Sequence, residues 1–92
     1  DLSDNPSQYV LATPALTAQG QLQATLANRT NLALRNISVE FAARVNNQTI
    51  QRLVTVDRLA AGAQGQVSSG WQFSTDDLIE QVQVRVLQAH GT

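Results

Sequence analysis

The chain has 92 residues, of which 42% are apolar and only 14% charged, and its net charge is near −1. Six scattered arginines and no lysine exclude the basic footprint of a nucleic-acid-binding surface, and the aromatics Tyr9, Phe41, Trp71 and Phe73 are too dispersed for a base-stacking platform. The absence of cysteine excludes disulfides, a thiolate nucleophile and thiolate metal sites.

This length supports one core, burying roughly 60–65% of the surface of the unfolded chain. Low charge is offset by uncharged polar residues, glutamine above all, which favours a folded domain over disorder. No apolar run approaches the roughly 20 residues that span a bilayer, so no direct membrane insertion is expected. A start at Asp1 and the lack of methionine read as an excised domain or a processed mature chain.

The polar segment 1–8, which carries Pro6, reads as a linker or disordered terminus, leaving 9–90 as a single domain. "YVLAT" (Tyr9 to Thr13) is a short strand that Pro14 ends or confines to a sheet edge. In "GQLQATLANR", Leu22, Ala24 and Leu26 alternate with Gln21, Gln23 and Thr25, the period of a half-buried strand. "NRTN" (Asn28 to Asn31) supplies turn residues that bond their own backbone and forms a corner between strands.

The next strand is the clearest: Ile37, Val39, Phe41, Ala43 and Val45 share a face against Ser38, Glu40 and Arg44. "NNQ" (Asn46 to Gln48) predicts a tight hairpin turn. In the return strand, "TIQRLVTVDRL", Arg52 shares parity with Ile50, Val54 and Val56, while Leu53 lies opposite. Either a β-bulge or a strand covered on both faces would account for that. "AAGAQGQ" (Ala60 to Gln66) reads as a loop, and "VSSGWQF" puts Val67, Ser69, Trp71 and Phe73 on one face. "STDDL" predicts one short helical turn near 75–79, with Ser74 or Thr75 as cap and Asp76 and Asp77 at its positive end. "IEQVQVRVLQA" closes the chain with Val82, Val84 and Val86 against Gln81, Gln83 and Arg85.

The fold class expected is all-β: an antiparallel, Ig-like β-sandwich of six to seven strands, with a small barrel as the competing architecture. Its core would be Leu22, Leu26, Ile37, Val39, Phe41, Val54, Val56, Trp71, Val82, Val84 and Val86. Burying each large side chain contributes roughly 1.5–3 kcal/mol.

Four short pieces, "LANRT" (Leu26 to Thr30), "LRNISVEF" (Leu34 to Phe41), "LAAGAQ" (Leu59 to Gln64) and "WQF" (Trp71 to Phe73), fall in the order found in FxLYD-type modules. From Gly20 to Val86 the chain resembles these Ig-like sandwich modules of bacterial envelope proteins. It departs from them at "FAAR" (Phe41 to Arg44), which replaces the Leu-Tyr-Asp signature, and at Ala61, where the loop proline would stand. The resemblance implies a noncatalytic accessory module, periplasmic or cell-envelope associated, in a lipoprotein or other surface protein.

Candidate chemistry is sparse. His90 is the third residue from the end, where a frayed tail gives a catalytic base no orienting partner. "GAQG" (Gly62 to Gly65) has neither the spacing nor the lysine of a phosphate loop. Asp76 and Asp77 lack the further oxygen ligands a calcium ion needs. Glu40 and Glu80 each face the polar side of a strand and form no acid–base pair. Asn28-Arg29-Thr30, Asn36-Ile37-Ser38 and Asn47-Gln48-Thr49 match the glycan-acceptor pattern but are also ordinary turn compositions.

No catalytic, cofactor or metal residue is therefore expected, and the protein is expected not to be an enzyme. Outward glutamines Gln21, Gln23, Gln81 and Gln83, with Arg85, form a candidate docking row. An edge strand pairing with an extended peptide is another candidate. The expected function is docking to a protein partner or to a neighbouring domain of the same chain. The alternative is a carbohydrate- or small-ligand-binding module, for which Tyr9 is the one exposed aromatic expected. Oligomeric state leaves no signal in the sequence.

Overall fold

The computed structural model describes residues 9–91, so the linker predicted over residues 1–8 lies outside the described residues. Six strands follow one another: β1 (Val10–Leu16), β2 (Gln21–Asn28), β3 (Leu34–Val45), β4 (Gln48–Leu59), β5 (Gln64–Gln72) and β6 (Ile79–Gly91). They form two antiparallel three-stranded sheets, sheet A ordered β1-β2-β5 and sheet B ordered β4-β3-β6. Hairpins join β1 to β2 and β3 to β4, while the chain crosses between sheets after β2, β4 and β5. That is the expected sandwich, with an immunoglobulin-type connection order. It is not the competing barrel, because no ladder among the described residues joins the two sheets.

Alternation places the core. β2 buries Leu22, Ala24, Leu26 and Asn28, and β3, the centre of sheet B, buries Leu34, Ile37, Val39, Phe41 and Ala43. A slip of one residue in either strand would turn all of these to water, so the register is strongly specified. Val10, Leu59, Val67 and Ala89 join the core as well. Val54, Val56, Trp71, Val82 and Val84 of the expected core are instead half-buried against it. They belong to the outer strands of the two sheets, where each inward side chain has a neighbour on only one flank.

Two register breaks on β6 explain residues that look out of phase. Between Ala42↔Gln83 and Arg44↔Glu80 the β6 side holds an extra residue, and Gln81 there has φ +54°. A second extra residue lies between Val86 and Gln88. Each bulge shifts the alternation by one, so Ile79 and Ala89 turn inward alongside Val82, Val84 and Val86. On β3, Asn36 with φ +49° does the same between Leu34 and Ile37.

The return strand corrects both readings offered for it. β4 pairs with β3 in one continuous register, from Val45↔Gln48 to Leu34↔Leu59, without a bulge. Nor is it covered on both faces: Leu53 is 60% exposed on the outer side of sheet B. Arg52 points inward because it has a use there. Its guanidinium lies 5.4 Å over the Trp71 ring, and its Nη1 donates to the Ser69 carbonyl at 3.1 Å.

Other local expectations shift by a few residues. β1 runs past Pro14 to Leu16, and proline is tolerated because β1 is an edge strand. The loop expected over Ala60 to Gln66 is confined to 60–63, with Gly65 already paired to Leu26 in sheet A. "NNQ" is a two-residue hairpin in which Asn46 (φ +51°) and Asn47 (φ +66°) are both left-handed, as a type I′ turn requires. The turn predicted near 75–79 spans Ser74–Asp77 and goes no further. Ser74 Oγ accepts from the Asp76 N–H and Asp77 Oδ2 accepts from the Ser74 N–H, reciprocal capping bonds without a helix behind them.

Between Gln23↔Ser68 and Gln21↔Gln72, β5 carries two extra residues around Gly70, whose φ is +80°. Buried Ser69 repairs the interrupted ladder: its hydroxyl donates to the Leu22 carbonyl at 2.8 Å and accepts from the Trp71 N–H at 3.0 Å. That left-handed backbone favours glycine, and a Cβ at Gly70 would also have to displace the tip of the Arg52 side chain, whose Nη1 would lie 2.8 Å from it.

Asparagine side chains tie the crossovers together. Asn28, 2% exposed at the end of β2, donates Nδ2–H bonds to the carbonyls of Leu32 (2.8 Å), Leu59 (3.1 Å) and Ala60 (3.0 Å). Its Oδ1 accepts from the Thr30 N–H at 3.0 Å and hydroxyl at 2.7 Å. One amide thus holds the β2–β3 and β4–β5 crossovers against each other. At the opposite end the Asn46 side chain donates to Asp77 Oδ1 (2.9 Å) and accepts from the Leu78 N–H (2.9 Å), while its backbone N–H donates to the Leu78 carbonyl (2.8 Å).

Replacing Asn28 tests the first clasp. Asn28→Asp keeps the shape but turns a donor into a buried acceptor facing carbonyl oxygens, so it should destabilise more than Asn28→Ala. Loss of satisfied buried polar contacts predicts about 2–4 kcal/mol for the alanine variant. Urea unfolding followed by Trp71 fluorescence measures both.

Candidate functional site

His90 is not on a frayed tail. It lies within β6, half-buried, opposite Arg35 of β3. Arg35 in turn has Arg58 opposite it on β4, so His90, Arg35 and Arg58 form one row across the outer face of sheet B. No carboxylate or hydroxyl bonds to His90 among the described residues, so it is not part of an assembled nucleophile and base. Glu40 accepts from Arg85 Nη2 at 2.6 Å and Nε at 3.1 Å, the cross-strand partner its register gives it. Glu80 sits opposite Arg44, four residues along β3, so the two glutamates do not converge.

Asp77 is engaged by Asn46 and Ser74, while Asp76 lies in the exposed turn beside it. Among the described residues no group of three or more His, Asp or Glu side chains converges as metal ligands would. The Asn28 sequon is closed by its own bonding, because every proton of its amide is donated and the residue is buried. Asn36 and Asn47 are exposed, and their positive φ explains asparagine there without a glycan.

Two aromatic expectations change. Tyr9 is half-buried and packs on the core instead of standing free. Trp71 is also half-buried, tilted 48° to Phe73 with centroids 6.1 Å apart, and Arg52 covers its ring. Neither ring stands free of the core. Three clefts among the described residues measure 180 Å³ between the β1–β2 and β5–β6 turns, 140 Å³ beside Leu16 and Val82, and 230 Å³ at Leu34, Arg35 and Arg58. Each falls short of the roughly 300–1,000 Å³ of ordinary ligand pockets.

The glutamine row comes apart in three dimensions. Gln21 and Gln23 belong to sheet A, whereas Gln81, Gln83 and Arg85 belong to sheet B, on the opposite side of the sandwich. A different surface emerges in its place. The outer face of sheet A is built of three rows: Leu11–Ala27–Gln64, Thr13–Thr25–Gln66 and Ala15–Gln23–Ser68. No residue of β1, β2 or β5 is ionisable.

Every charged side chain of the described residues lies on sheet B or in a turn. Such a face has hydroxyls and amides to offer but no ion to strip of water. Desolvating it on contact is therefore cheap compared with desolvating sheet B.

Comparison of the chain with family models, with curated proteins and with solved structures finds no match. The geometry of this sandwich therefore carries the functional reading.

Two measurements follow from the electrostatics. The Asn46 side chain, then the Ser74 N–H, hold the Asp77 carboxyl below its ordinary value of 3.8. Folding therefore favours the ionised form, a contribution present above the ordinary carboxylate range and lost as pH falls through the lowered value. The stability difference between the wild type and Asp77→Ala should narrow on acidification from about pH 6 to about pH 2, where protonation removes the advantage. A constant difference across that range would contradict the clasp. On sheet B, Arg58→Glu replaces the like-charge pairing with Arg35 by an opposite one and should stabilise the fold by about 0.5 kcal/mol in thermal unfolding at low salt.

Proposed function

We propose that this chain is a noncatalytic docking module whose outer sheet A face seats a protein partner or a neighbouring domain of the same chain. The observation that carries this reading is the segregation of charge: three strands without an ionisable residue, backed by a rigid core, opposite a sheet that holds charged pairs. Interface centres are depleted of charged residues in the same way, while polar side chains supply hydrogen bonds and register. The face alternates Thr, Gln, Ser and Ala on a stiff, paired backbone, so little ordering entropy is lost when it is covered.

The resemblance of "LANRT", "LRNISVEF", "LAAGAQ" and "WQF" to FxLYD-type modules supports a bacterial cell-envelope setting, periplasmic or surface-attached, as an accessory part of a larger protein. A sandwich with this strand order is compatible with it. The carbohydrate-binding alternative needs an exposed ring, and Tyr9 and Trp71 are both half-buried.

Photocrosslinking tests the docking face. A benzophenone side chain at Thr25 or Gln66 in the bacterial periplasm should give a discrete adduct, whereas the same group at Gln83 on sheet B should give none. Thr13→Lys, placing a charge in the middle row, should abolish the adduct. Equal capture from both faces, or an adduct indifferent to Thr13→Lys, would contradict the assignment.

A further inference from the structure

The four outer strands of the two sheets are not equally protected. β1 carries Pro14, which donates no backbone hydrogen bond; β5 is broken by its bulge at Gly70; β6 is bent by two bulges. These are the devices by which sheets avoid pairing with other strands. β4 has neither proline nor bulge, and its one inward-pointing charge, Arg52, is engaged within its own chain by the Trp71 ring and the Ser69 carbonyl. The strand runs twelve residues in unbroken register, also without glycine.

The hairpin defines which of its backbone groups are free. Val45 and Gln48 flank the two-residue turn and form its closing hydrogen-bonded pair, so Ile50, Arg52, Val54 and Val56 also bond back to β3. The N–H and C=O groups of Thr49, Gln51, Leu53, Thr55 and Asp57 point the other way, where no strand of the described residues pairs with them.

We infer that β4 pairs antiparallel with β4 of a second copy of this chain, about a two-fold axis at Leu53, forming one continuous six-stranded sheet. The residues select this register. Centred on Leu53, it sets Leu53 against itself, Gln51 against Thr55 and Thr49 against Asp57, so every free rung is used. On the inner side it places half-buried Ile50 against Val56 of the other copy and Arg52 against Val54. Shifting the centre to Arg52 would oppose Arg52 to its own mate, and shifting it to Thr55 would oppose Arg52 to Arg58. Either juxtaposition is disfavoured. Centring on Val54 leaves Thr49 facing the buried end of β4 at Leu59.

A single shared edge buries less than the roughly 800 Å² per partner of a tight complex, so the dimer should dissociate on dilution. This interface lies on sheet B and does not depend on the docking role given to sheet A.

Sedimentation velocity on the 92-residue chain, from about 10 μM to about 1 mM, tests it. The mass should rise from 9.9 kDa towards twice that value. Leu53→Lys, at an exposed position that leaves the fold intact, should stay monomeric throughout, while Gln83→Lys on β6 should still dimerise. The chain has no cysteine, so single thiols report the register. A short thiol cross-linker should join Leu53→Cys into dimers but not Thr49→Cys, whose mates lie eight residues apart along the paired strands. A wild-type chain monomeric at every concentration, a dimer that survives Leu53→Lys, or equal cross-linking of the two thiols would overturn the inference. The first of these outcomes would leave β4 free for an extended peptide of another protein.

Discussion

The hydrogen bonds of the Asn28 amide are the constraint on which the rest of the sandwich depends. A chain that leaves one sheet and enters another must abandon its ladder, and the backbone groups at the corner lose their partners. Buried without replacement, each such group would cost about 1–3 kcal/mol. Asn28 sits where two such corners meet, and its side chain bonds to a carbonyl of the first crossover and two carbonyls at the second. Asn46 bonds to the third crossover at the other end, where its partners are exposed. The strands between need only alternate; the asparagines decide how the two sheets are joined.

That division of labour frees the outer faces. Because the core is filled by alternate residues and the corners are held by amides, the outer faces differ in composition without disturbing the core. Sheet B carries the Glu40–Arg85 pair and the His90–Arg35–Arg58 row, and sheet A carries hydroxyls, amides and apolar groups, Leu11 among them. One side of the sandwich is therefore neutral and the other charged.

Much of this architecture was legible in the sequence, and the exceptions have physical causes. Period-two alternation located five of the six strands closely and identified the inward faces of β2 and β3, because both strands sit mid-sheet with one face on the core. Bulges hid Ile79 and Ala89, since one extra residue reverses the phase and parity alone then points these side chains to water. Arg52 looked like an error in an apolar series until Trp71 arrived from β5 to lie beneath it. The row of outward glutamines was misread for a related reason. Parity tells inside from outside but not one sheet from the other, so Gln21 and Gln83 looked like neighbours. A signal for Asn28 was present all along: it continues the inward series Leu22, Ala24, Leu26, and a polar residue at an inward position must have buried partners.

The most direct measurement of the account is hydrogen exchange of the asparagine side chains by NMR. If Asn28 joins the crossovers, its Nδ2 protons open only when the sandwich unfolds. They should then be protected as strongly as the backbone amides of Val39 and Phe41, while those of exposed Asn36 and Asn47 exchange freely. Asn28 side-chain protons exchanging as fast as those of Asn36 would contradict it, leaving the joining of the sheets to the core alone.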